Sequence, residues 1–149
     1  RRVERVLRQT GLAATHLELQ VTESAVMDNP ERAQELLGHL QGLGVRLAID
    51  DFGTGYSSLA RLKRLPVHKL KLDQSFVRGL PQDSEDAAIA RAVVSLGQSL
   101  GLRVLAEGIE TEAQLEQLRD LGCALGQGFH LARPLPPGVN LAKFRTSVR

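Results

Sequence analysis

Gln20, Asp50, Lys71 with Asp73, and Glu107 each fall at or near the carboxyl end of a segment that alternates apolar and polar residues, on the face opposite the apolar stripe. An isolated charge in a low-dielectric interior costs several kcal/mol unless something pairs with it, so groups placed this way require a shared partner. A metal-dependent site at one end of a barrel would supply that partner, with the run Asp50-Asp51-Phe52-Gly53-Thr54-Gly55 at its centre. Two adjacent ionised aspartates repel, and a divalent cation between them converts the repulsion into binding. Magnesium or manganese suits such oxygen ligands. The alternative is that Asp50 and Asp51 cap the following turn, which Gly53 and Gly55 permit.

The other candidates also carry two readings each. Lys71 can neutralise a phosphate or orient an attacking water, or it can form a buried ion pair with Asp73 two positions on. Glu107 and Glu110 flank a turn, Glu107 suited to the site and Glu110 to loop support. Gln127, between Gly126 and Gly128, suggests close backbone approach or a simple turn. Gly53-Thr54-Gly55 hints at a phosphate cradle, but Ser58 stands where a dinucleotide fingerprint needs its third glycine. His16, His39, His68 and His130 have no ligand spacing.

The elements that must position these residues alternate between a period of two and one of 3.6, the pattern of consecutive βα units and a parallel sheet. Strands are expected at about Leu17–Val21, Val45–Asp50, Lys69–Asp73, Arg103–Glu107 and Cys123–Gln127, each followed by a helix. The helices read as a lead helix at about Arg2–Gln9, one from Asn29 and Pro30 to Gly44, one at Ser57–Leu65, one through Ile89, Val93, Leu96 and Leu100, one from Thr111 to Gly122, and a last one after Pro136-Pro137. Strand parity sets Leu17, Leu19 and Val21 against Glu18 and Gln20, and Leu70 and Leu72 against Lys69, Lys71 and Asp73. Apolar faces that meet outer helices leave the polar faces pointing into a (β/α) barrel, whose active site lies at the carboxyl ends of its strands. An open doubly wound sheet is the competing architecture.

At 149 residues, 42% of them apolar and 24% charged, the chain fits one globular α/β domain. A formal charge of +2, with arginines interspersed among glutamates, leaves no footprint for duplex nucleic acid. The single cysteine, Cys123, excludes an internal disulfide framework and reads as a core residue in a reducing compartment. No run reaches membrane-spanning length, and no signal peptide is expected. Because the chain opens on Arg1, it reads as a piece of a larger polypeptide.

Taken together, Gln20-Val21-Thr22-Glu23-Ser24, Asp50 to Ser58, Lys71-Leu72-Asp73, Ala106-Glu107-Gly108-Ile109-Glu110-Thr111 and Gln127-Gly128-Phe129 resemble the EAL domain family in order and spacing. The resemblance extends from near Leu17 to Pro136. It implies a modified (β/α) TIM-like barrel that hydrolyses the bacterial second messenger cyclic di-GMP to a linear dinucleotide with two Mg²⁺ or Mn²⁺ ions. It further implies that Asp50 bridges the metals, Asp51 holds the second, and Glu107 is a ligand or the base for the attacking water. Lys71 then holds a water or phosphate oxygen, Asp73 and Gln127 help complete the site, and Glu23 and Glu110 brace the aspartate loop. A cytoplasmic location, or the cytoplasmic side of an inner membrane, also follows from the resemblance, as do a homodimer and fused sensory or diguanylate cyclase-like domains upstream.

Two departures qualify that picture. The family's opening strand with its Glu-Ala-Leu signature, and the asparagine ligand after it, are not in this chain, which is roughly 100 residues short of a typical barrel. Gln20 replaces the first glutamate of the family's Glu-x-Thr-Glu motif, exchanging an anionic ligand for a neutral carbonyl and lowering the expected metal affinity. Weak activity is therefore expected of this carboxyl-terminal portion with its five βα units. The alternative function is a degenerate domain that binds cyclic di-GMP or a protein partner without turnover.

Overall fold

The computed structural model describes residues 2–55 and 59–136. Its five strands are β1 (Glu18–Thr22), β2 (Arg46–Phe52), β3 (Lys69–Leu72), β4 (Arg103–Ala106) and β5 (Leu125–Gly126). They form one parallel sheet in the order β1-β2-β3-β4-β5. Sequential order is what a (β/α) barrel requires, whereas a doubly wound sheet reverses direction at a switch point. The described residues thus make an incomplete TIM-like barrel.

The expected parity holds through the centre of the sheet. Leu47, Ile49, Leu70, Leu72, Val104 and Ala106 are buried on the outward face with Leu37, Val77, Val93 and Val94 of the helices. Glu18, Gln20, Lys69 and Lys71 lie on the opposite face, linked by hydrogen bonds between strands. Ala48 on β2 is fully buried and short enough to let β1 side chains cross to β3.

Helices α1 (Arg2–Thr10), α3 (Pro30–Gly42), α6 (Ser84–Leu100) and α7 (Glu112–Asp120) correspond to four of the expected ones. Asn29 accepts from Arg32 N as N-cap with Pro30 behind it, and Gly101 ends α6 in the left-handed conformation at φ 68°. The expected Ser57–Leu65 helix is shorter, with α4 at Leu59–Leu62; Ser57 and Ser58 lie outside the described residues, as does the helix expected after Pro136-Pro137.

Two further helices were not expected from periodicity. α2 (Glu23–Asp28) and α5 (Gln74–Arg78) follow β1 and β3 directly, each started by a side-chain cap, Thr22 or Asp73. Helices of six and five residues are too short to show a repeat, so only their caps mark them. The expected strand at Lys69–Asp73 therefore stops at Leu72, because Asp73 turns its carboxylate to Ser75 N. β5 keeps only Leu125–Gly126 of the expected Cys123–Gln127, so Cys123 packs beside the strand rather than in it.

Candidate metal centre

The site begins with an irregularity in β2. Ile49 pairs with Leu70 and Phe52 with Leu72, so two residues, Asp50 and Asp51, oppose the single Lys71. A bulge of this kind re-aims side chains locally. Strict alternation would send Asp50 and Asp51 to opposite faces. Instead Asp51 adopts φ 53°, a left-handed conformation that aspartate tolerates better than most side chains, and its N–H donates to Asp50 Oδ1 at 3.1 Å. Phe52 is returned to the buried core.

Asp50, Asp51 and Glu107 each present a carboxylate oxygen, and the three oxygens lie within 4.8 Å of one another. Glu107 stands one residue beyond β4, its N–H still donating to Leu72 O at 3.2 Å. Unit charges 4.8 Å apart in a partly buried setting of effective dielectric about 20 repel by on the order of 3 kcal/mol. Opposed oxygens on a magnesium-sized ion stand about 4 Å apart, so the cluster needs only a small closing to hold one. An oxygen-only, anionic donor set fits Mg²⁺ or Mn²⁺.

Lys71 supplies part of the compensating charge. Its buried ammonium lies 2.8 Å from Asp50 Oδ1, 2.9 Å from Glu107 Oε1 and 3.0 Å from Gln20 Oε1, which uses its three donors. It does not pair with Asp73, because the α5 cap takes that carboxylate away. Burial opposes ionisation of Asp50, but the hydrogen bond and charge of Lys71 outweigh it and hold the carboxyl below its ordinary range. Burial likewise works against the Lys71 charge, and Asp50 and Glu107 overcome it, so the ammonium holds its proton more tightly than usual. Glu107 is pushed up by burial and by Asp50, more than Lys71 pulls it down. Asp51 is pushed up by burial and by the charges of Asp50 and Asp73.

The loop after the aspartates is fastened by Glu23, the first residue of α2, which is 1% exposed. Its Oε2 accepts from Gly53 N at 2.9 Å and Gly55 N at 3.3 Å. These N–H groups therefore do not form a free phosphate cradle, the use that Gly53-Thr54-Gly55 suggested by itself. Thr54 Oγ1 donates to Asp51 O at 2.8 Å and tightens the same turn.

Gln127 is exposed and joins the site region through its backbone, with its N–H on Ala106 O at 2.8 Å and its carbonyl receiving Ile109 N at 3.1 Å. Glu110 is exposed and tied to α7, its N–H donating to Gln114 Oε1 at 2.8 Å. Cys123 stands outside the cluster, and burial pushes its thiol up, which suits a packing residue. A second ion pair, Glu18 with Lys69 at 2.7 Å, lies toward the amino ends of β1 and β3 and was not expected from the sequence, although both residues share the polar parity. Nor did sequence reasoning see Gln114 as more than a helix cap.

Comparison with known proteins gives this geometry a context. A family model described as EAL domain matches residues 1–134. Cyclic di-GMP phosphodiesterase NbdA of Pseudomonas aeruginosa is 52% identical over 134 residues, covering 90% of this chain and 17% of that protein. Bifunctional diguanylate cyclase/cyclic di-GMP phosphodiesterase MucR of the same organism is 51% identical over 140 residues, covering 94% of this chain and 20% of that one. The chain thus spans about a fifth or less of these curated relatives. Among solved structures, the PaMucR phosphodiesterase in complex with c-di-GMP superimposes with a TM-score of 0.88 at 50% identity, over 91% of this chain and 55% of that one. A manganese and cyclic di-GMP complex of Klebsiella pneumoniae BlrP1 matches with a TM-score of 0.81 at 36% identity, over 89% and 34%.

Proposed function

The chain belongs to the EAL domain family, and from that premise we propose that it carries part of the metal centre of a cyclic di-GMP phosphodiesterase site that yields the linear dinucleotide. The convergence of Asp50, Asp51 and Glu107 within 4.8 Å is the observation that carries this reading. Relatives named for cyclic di-GMP hydrolysis, and solved relatives holding that nucleotide with manganese, supply the substrate class.

Asp50, Asp51 and Glu107 would hold Mg²⁺ or Mn²⁺, with Gln20 offering a neutral amide oxygen in the place of a fourth anion. Bound divalent ions neutralise the phosphodiester oxygens and lower the pKa of an attacking water. Lys71 keeps Asp50 ionised and sets the spacing between β2 and β4, and its charge offsets negative charge developing on the phosphate. Glu107 would act as a further ligand or as the base for the attacking water, its carboxylate standing within 4.8 Å of the aspartate oxygens. Glu23 holds the Asp51 loop through Gly53 and Gly55. Asp73 adds negative charge beside Asp51, and Gln127 and Glu110 border the Glu107 turn through their backbones.

The same reading includes a homodimer, a cytoplasmic location and fused signalling modules of the kind named in the bifunctional relative. Among the described residues no helix is long and apolar enough to cross a membrane. The direct test is manganese-dependent hydrolysis of cyclic di-GMP by the whole protein beside its Asp51→Asn variant. Product from the parent and none from the variant supports hydrolysis; nucleotide binding by the parent without any product selects the non-hydrolytic alternative.

A further inference from the structure

Gln114 is a buried polar side chain that the site does not yet explain. It is 5% exposed, at the third position of α7, and it completes a capping box with Thr111. A capping box asks only that its carbonyl accept from the N-cap N–H. Here Gln114 Oε1 accepts from Thr111 N at 3.0 Å and also from Glu110 N at 2.8 Å, while Nε2 donates to Arg78 O at 3.4 Å. One buried amide thereby ties the turn after Glu107 to the last residue of α5, the helix that follows the strand bearing Lys71.

The turn it grips has little other freedom. Gly108 reverses the chain at φ 71°, with Gln74 of α5 close against it. Ile109, 1% exposed, is held on its other side by Gln127 O at 3.1 Å and by His130 N, which donates to its carbonyl at 3.0 Å. We infer that Gln114 is a positioning residue for Glu107: by bridging the Glu107 turn and α5 it sets where the carboxylate stands relative to Lys71 and the two aspartates. The inference rests on the metal-site reading and adds a residue outside the ligand cluster. Groups that hydrogen-bond a metal ligand directly cost about 10- to 100-fold in metal affinity or activity when removed; Gln114 acts through the backbone of the same turn, which sets the expectation at the lower end of that range.

Gln114→Glu separates positioning from capping. Glutamate is a regular capping-box residue and keeps both acceptor bonds, but it has no N–H for Arg78 O. Its added negative charge would by electrostatics alone strengthen cation binding, the opposite of what lost positioning does. Gln114→Ala removes all three bonds, and Thr111→Ala removes the cap that accepts from Gln114 N while leaving the bridge intact.

The experiment is Mn²⁺ titration of the whole protein and these three variants, with thermal melts to confirm folding and cyclic di-GMP turnover as a second readout. Both Gln114 variants are expected to weaken Mn²⁺ binding by about tenfold or more and to lower kcat more than they raise KM. Thr111→Ala is expected to lower the melting temperature and leave Mn²⁺ affinity within about twofold of the parent. A Gln114→Glu protein that binds Mn²⁺ as the parent does, or an equal loss in Thr111→Ala, would overturn the inference. A parent that binds Mn²⁺ but forms no product defeats hydrolysis alone, because the titration still decides positioning. A parent that binds no Mn²⁺ overturns both.

Discussion

Gln20 Oε1 accepts from Lys71 Nζ at 3.0 Å, an interaction that crosses from β1 to β3 over β2, where Gln20's register partner is the fully buried Ala48. The neutral amide occupies one of three ammonium donors whose other partners are Asp50 and Glu107. Restoring a carboxylate here adds one negative charge next to the cluster without a change of size. Gln20→Glu is expected to tighten Mn²⁺ by about tenfold or more, equivalent to about 1.4 kcal/mol, and to raise hydrolysis by the whole protein. Titration and turnover assays on the pair check this, and equal affinities and rates would remove Gln20 as a cause of weakness.

Glu23 accepts from two backbone donors of the aspartate loop while almost fully buried. Glu23→Gln would turn an acceptor-only group into one that must present an NH₂ toward or away from those donors. The expected loss is about 1 to 3 kcal/mol of folding stability by chemical denaturation. Mn²⁺ affinity should fall in parallel, because the same loop carries Asp51. Unchanged affinity in a folded variant would show that the loop holds its shape without Glu23.

The raised carboxyls give metal-free stability and metal affinity opposite slopes in pH. Asp51 and Glu107 have folded pKa values above their unfolded ones, so their contribution is fully present below the unfolded values and is lost as pH rises through the folded values. Asp50 is depressed, so its contribution is present above its unfolded value and is lost as pH falls through the folded one. In chelator, acidification from neutral should therefore first raise the melting temperature and then lower it once Asp50 takes a proton. Asp51→Asn, whose side chain also tolerates the left-handed backbone, should raise the metal-free melting temperature at neutral pH and flatten the first rise. Mn²⁺ affinity of the parent should only decrease as pH falls, since protons compete for the same oxygens. A metal-free melting temperature that climbs steadily with pH through this range would contradict the assignment.

A Cβ placed on Gly128 would collide with the backbone N, C and O of Ile109. Gly128→Ala must push the Gln127 segment off the Glu107 turn, with an expected cost of about 1 to 3 kcal/mol and a loss of Mn²⁺ affinity. Gly38 provides the contrast: it is exposed on α3 with nothing near its would-be Cβ, and Gly38→Ala should stabilise by about 0.5 to 1 kcal/mol. Denaturation curves of the two variants test whether space at Gly128, rather than glycine content in general, is what matters.

Much of this molecule is written in local pattern. The alternation of apolar and polar residues in Glu18–Val21 and Lys69–Leu72 determines which side chains face the helices, because a strand's side chains alternate whatever surrounds it. Asn29-Pro30 and Thr111 with Gln114 mark helix starts through bonds that span only three residues. The clustered motifs, with Gln20 in place of a glutamate, identify the family. Other features depend on partners distant in the chain. Asp51 joins Asp50 only because pairing with β3 admits an extra residue in β2. Lys71 chooses Asp50 and Glu107 over Asp73 because strand neighbours bring those carboxylates to under 3 Å while a cap two residues on claims the nearer one in sequence. Glu23, 30 residues from Gly53, takes the N–H groups that a glycine-rich turn had left open. Sequence period decides the face on which a residue lies; the register between strands and the three-dimensional distance between charges decide which partner it meets there.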